Sequence, residues 1–150
     1  AYNYGARNKK RITQAIRTGL IFAIIIMSAG TLIFELIPGV LLRLFAASDA
    51  MLSIGIPAMR IIASSFIGAA VAISLSSVFQ AFGKAFYSMI VSIIRQIVFL
   101  LPAAWLLSLS GNINIIWFCF PIAEVMSVAL SLLFMRSVYR NTIAELDRQN

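Results

Sequence analysis

Two ionisable residues stand where charge is costly. Arg95 lies near the middle of residues 88–109, SMIVSIIRQIVFLLPAAWLLSL, a run of 22 residues with no other charge. Glu124 is the only acid in the following apolar run, IWFCFPIAEVMSVALSLLFM. About 20 apolar residues suffice to cross the roughly 30 Å hydrocarbon layer as a helix. An arginine at that depth costs about 2.5 kcal/mol or more. The two runs are therefore expected to form a hairpin whose charges meet inside the membrane. Such a pair can break and re-form during transport, sense a proton or cation, or simply fix helix register. In a further arrangement Arg95 faces a water-filled cavity and Glu124 bonds elsewhere. Gln80 and Ser76, in the preceding run, are further candidates to line a substrate or cation pathway, although polar glue between helices is the commoner role.

No other chemistry is available. The chain has no histidine and 5 acids in 150 residues, which removes a histidine-based metal site or general base and leaves carboxylates too sparse for paired acid–base work. No Gly-rich phosphate loop precedes a basic helix start. Cys119 is alone inside an apolar run and reads as small apolar filler, not part of a disulfide framework. The reading is a non-enzyme, with no catalytic residues, no metal site and no cofactor beyond a coupling ion.

The elements that must position Arg95 and Glu124 follow from composition. Hydrophobic residues make up 61% and charged residues 11%, where a soluble domain carries about 25% charged residues. A soluble globule could not clothe its surface with so few charges, so the expected class is an all-α, polytopic membrane helix bundle. The net charge of +7 comes from basic residues at the ends of apolar runs, a topology signal and not a nucleic-acid stripe.

Four transmembrane helices are expected, over about 9–36, 49–82, 85–107 and 113–136, with a polar tail over 137–150. Residues 1–7 read as a loop broken at Gly5, with Asn8 as a possible helix cap. An amphipathic lead-in from Lys9 to Arg17 feeds the first span, which ends at Pro38-Gly39. Residues 40–47 form a short interfacial piece around Arg43, and Ser48 or Asp49 caps the next helix. Ser65, Ala69, Ala72 and Ser76 recur near helical spacing and suit close helix packing. Gly83-Lys84 and residues 108–114 make the remaining turns. Pro102 and Pro121 kink their spans. With a rise of about 1.5 Å per residue, Arg95 lies about 18 Å below Leu107 and Glu124 about 16 Å below Ile113, nearly equal depths.

Arg7, Lys9, Lys10, Arg11, Arg17, Lys84, Arg136, Arg140 and Arg148 fall on one side of this topology, against Arg43 and Arg60 on the other. The excess places both termini in the cytoplasm. Trp105 and Trp117 flank the outer turn. The chain opens on Ala1 without an initiator methionine, and the expectation is a piece of something longer.

Three stretches carry a family resemblance. YNYGARNKKRI resembles the loop after span eight of MATE (multidrug and toxic compound extrusion) transporters. SSVFQAFGKAFYSMIVSIIRQIVFLLP resembles their tenth-to-eleventh span junction, and IWFCFPIAEVMSVALSLLFMRSVY their twelfth span. The match is closest to the MepA-like bacterial branch and covers essentially the whole chain. It implies spans nine to twelve of a twelve-span protein built from two six-helix lobes. Its implied partners are the lipid bilayer, cationic drug-like molecules and the remaining N-terminal spans, with no nucleic acid. It implies a bacterial inner-membrane antiporter that exports cationic amphipathic compounds against sodium or protons by alternating access. One branch uses a span-ten aspartate for cation binding; residues 61–82 contain no acid, so that role is not carried over. Other readings are a small four-span exporter, which would rest on a first-span glutamate; a lipid-linked sugar flippase fragment, which would want several cavity cations; and a non-transporting membrane assembly subunit.

Overall fold

The computed structural model describes residues 9–143, and every regular element among them is helical. The expected loop at 1–7, the Asn8 cap, Arg7 and Arg148 lie outside the described residues. Helix α1 (Lys9–Leu36) runs unbroken for 28 residues. The chain then bends at Ile37, and Pro38 heads the short α2 (Pro38–Leu44). Proline suits that position, because its missing N–H would have had no helical partner there. Pro38 thus both ends the first helix and opens a second. Ser48 caps α3 (Asp49–Ala63), its Oγ accepting from the Met51 amide at 3.3 Å.

The stretch expected to form one span over 49–82 is bent in the middle. Helix α3 stops at Ala63, and α4 (Phe66–Ala81) departs from it at 51°. The cause is local. Ser64 and Ser65 donate their hydroxyl protons back to the carbonyls of Ile61 and Ile62, each at 2.6 Å, offering the backbone an alternative to the helical ladder. Thr31 on α1 steadies the break, its Oγ1 lying 3.2 Å from the Ala63 carbonyl and 2.9 Å from that of Met27.

After a turn in which Gly83 takes φ +71°, helix α5 (Ala85–Ile93) passes into a π-helical stretch, Ile94–Leu100, and then α6 (Leu101–Ser108). Together they form one apolar rod of 24 residues. Gly111, at φ +69°, makes the next turn. Short α7 (Ile113–Ile116) is separated by turn residues from α8 (Cys119–Val138), which continues through a second π-helical stretch, Tyr139–Ile143. The turn residues Trp117 and Phe118 keep helical dihedrals, and Ile113–Asn141 forms one apolar stretch of 29 residues long enough to cross a membrane, where the fourth span over 113–136 is expected. The expected polar tail begins as helix; only 144–150 lie outside the description.

Helix α4 is the hub, packing against α1, α5 and α8, while the π-helical stretch around Arg95 packs against α8. Ile12, Leu75, Phe79, Phe82 and Val138 form the buried cluster. The Tyr87 ring lies between Phe79 (centroids 6.0 Å apart) and Phe134 (4.9 Å). On α4 the buried stripe is Ala70, Ala72, Leu75 and Phe79. Of the small residues expected to pack, Ala72 is buried, while Ser65, Ala69 and Ser76 are half-buried. The apolar stretch of α1 has 0% of its residues buried, and Phe22, Ile26 and Trp105 are each more than 60% exposed. Apolar surface on this scale is covered by lipid or by other membrane helices. The chain is a multi-pass membrane helix bundle.

Candidate functional site

Arg95 sits in the π-helical stretch Ile94–Leu100 and Glu124 on the facing side of α8. Proline at 102 explains the local geometry of the first. It has no N–H, and its ring clashes with the carbonyl four residues earlier, which favours a widened turn just before it. Arg95 Nη1 donates to Glu124 Oε2 at 3.2 Å. The Arg95 side chain is 38% exposed and that of Glu124 9%. Glu124 Oε1 is buried and has no hydrogen-bond partner among the described residues.

Each member of the ion pair lines a cavity of its own. The one beside Arg95, of about 210 Å³, is lined by Arg95, Gln80 and the serines at 76, 77, 88, 92 and 127 together with apolar residues; of these, Ser77 Oγ donates to the Ile73 carbonyl at 3.1 Å. Gln80 Nε2 donates to Ser88 Oγ at 3.0 Å, tying α4 to α5. Ser127 Oγ is buried without a partner among the described residues. The cavity on the glutamate side, of about 230 Å³, is lined by Ser64, Ser65, Gly68, Pro121 and Glu124 among others, directly at the α3–α4 break. A third, larger groove of about 340 Å³ is lined by Ile12, Ile16, Leu20, Val78 and Phe82, with no charged residue in its wall.

The structure thus brings Ser76, Gln80 and Arg95 to one cavity and links Glu124 to it through the ion pair. Glu35 lies apart, 3.9 Å from Arg60 Nε, with both side chains about half exposed. Cys119 is a buried free cysteine. Among the described residues no three His, Cys, Asp or Glu side chains group as metal ligands. Ser92 and Ser127 complete the first cavity, and serine in an otherwise aliphatic run was the signal available for them. Gly68 had no such signal, because its role depends on how closely two helices approach.

Gly68 is where α4 touches Glu124. A Cβ placed there would stand 3.1 Å from Glu124 Cγ and 3.6 Å from Val128 Cγ2. Gly68→Val is therefore expected to push the carboxylate off Arg95 and to cost about 1–3 kcal/mol by overpacking. Thermal unfolding of the purified protein should show this loss, and a Glu124→Ala background should relieve most of it. An equal loss in both backgrounds would show that Gly68 does not act through Glu124.

The chain was compared with known families and structures. The MatE family model matches residues 1–106. A solved structure named protein A is similar, at 30% identity and a TM-score of 0.80, over 95% of this chain and 31% of that one. No curated protein matches.

Proposed function

Because the chain belongs to the MatE family, a family of transporters, we propose that it is part of a multidrug efflux antiporter of the MepA-like branch, supplying spans nine to twelve. In this reading the protein exports cationic amphipathic compounds by alternating access, driven by sodium or protons. It lies in a bacterial inner membrane with both termini cytoplasmic. The match to residues 1–106 is the observation that carries the reading. The site agrees with it: secondary transporters build substrate and ion sites where a membrane helix is discontinuous, and the α3–α4 break lies beside buried Glu124. A small four-span exporter is less well supported, since its first-span carboxylate would be Glu35, which is half exposed and near Arg60.

The test is dye movement in inverted vesicles that hold the full gene product containing this chain. Ethidium is expected to accumulate when an outward-facing sodium or pH gradient is imposed across the vesicle, and collapse of that gradient should stop it. Ethidium uptake indifferent to every gradient would sink the antiporter reading.

A further inference from the structure

We infer that the cavity beside Arg95 binds the carboxylate of an amphipathic substrate. The carboxylate is held by the guanidinium edge that Glu124 leaves free and by the serine hydroxyls around it. The inference rests on the efflux reading and sets, within its substrate class, a preference for molecules that carry a carboxylate as well as a cationic, apolar body.

The polarity of the cavity wall carries the argument. A guanidinium offers five N–H donors in a rigid fork, and Glu124 is the one partner Arg95 has among the described residues. Ser127 is 1% exposed, and its hydroxyl has no partner among the described residues. Ser88 accepts from Gln80 and keeps its own proton to give. Ser76 and Ser92 add two more hydroxyls to the same wall. The matching ligand is an acceptor.

The cavity lined by Glu124 has the opposite character. There Ser64 and Ser65 commit their protons to backbone carbonyls, so the hydroxyls present lone pairs, next to a carboxylate. An anionic group belongs on the arginine side.

Charge and shape select which anion. Glu124 already balances Arg95, so a singly charged group is accommodated better than a dianion. A carboxylate presents two coplanar oxygens that fit one edge of the fork. The space, about 210 Å³, is below the roughly 300 Å³ at which pockets begin to enclose whole drug-sized ligands. It takes the acidic end of a molecule whose body lies elsewhere.

Rhodamine B and its ethyl ester test this directly, since they share the cationic ring system and differ in the free carboxylate. Binding would be measured by fluorescence anisotropy on the full gene product in lipid nanodiscs. The free acid is expected to bind about tenfold or more tighter than the ester, the worth of one hydrogen-bonding interaction with a charged group. Arg95→Gln should erase that preference, so that acid and ester bind alike. Glu124→Gln should widen the preference, and Ser127→Ala should narrow it.

Equal binding of the two dyes by the wild-type protein overturns the carboxylate site while leaving the efflux reading standing. So does an Arg95→Gln protein that keeps the preference. If that variant does not fold, full retention of the preference by Ser127→Ala is the overturning result. Failure of the wild-type protein to bind either dye undoes the efflux reading and the site together.

Discussion

Arg95→Gln is expected to destabilise the folded protein by about 3–5 kcal/mol, and adding Glu124→Gln is expected to restore most of that loss. Removing one member of a buried pair leaves the other charge without compensation, which is the costly event. Here the exposed partner is the arginine and the buried one the carboxylate: their side chains are 38% and 9% exposed. Loss of Arg95 therefore strands a carboxylate whose second oxygen already has no partner among the described residues. Loss of Glu124 strands a guanidinium that can turn toward the cavity it lines, so Glu124→Gln alone should cost less. The full reversal, Arg95→Glu with Glu124→Arg, is a harsher version, because Gly68 leaves little room for a longer side chain at 124. Thermal unfolding of the four proteins in a double-mutant cycle measures the coupling. A double neutral variant no more stable than Arg95→Gln would show that the two residues do not depend on each other. The same proteins separate the two roles of the pair. A stable, double neutral protein that still moves dye makes the pair a register device, whereas a stable and inactive one makes it part of the transport cycle.

The meeting of Arg95 and Glu124 was legible because it needed only run lengths and a constant rise per residue. Two antiparallel helices joined by a short turn place residues at equal distances from the turn side by side, and the membrane penalty on Arg95 demands a partner. The break at Ser64–Ser65 was harder to see, since neither residue is a helix breaker of the strength of proline or glycine. Pro57 draws attention nearby, yet α3 passes through it unbroken. Only the bonds from both serines back to Ile61 and Ile62 reveal the competition that stops the helix. The π-helical stretch is a similar case. Pro102 announces a disturbance, but not that the ladder widens over Ile94–Leu100. The two cavities were beyond sequence reasoning, because Ser127 and Gly68 acquire their roles from which face of a neighbouring helix reaches them. Periodicity on a uniformly apolar helix does not identify that face.

Residues 1–150 expressed alone are expected to give dye efflux no higher than background under either a sodium or a proton gradient. Transport by alternating access needs two lobes rocking about a central site, and this chain matches 31% of the length of protein A. The helices themselves point the same way. The apolar stretch of α1 has none of its residues buried, and the apolar groove bounded by Ile12, Ile16, Leu20 and Phe82 is open along one flank of the bundle. A cavity with an ion pair in its wall moves nothing across a membrane unless its opening alternates between the two sides. Among the described residues no helix supplies the opposing wall. On the two-lobe reading proposed above, efflux should appear when the remaining spans are supplied, either on the same chain or as a second chain in the same membrane. Gradient-dependent efflux by the 150 residues without any partner would mean that copies of this chain build both walls, and would replace the two-lobe reading with a small oligomeric exporter.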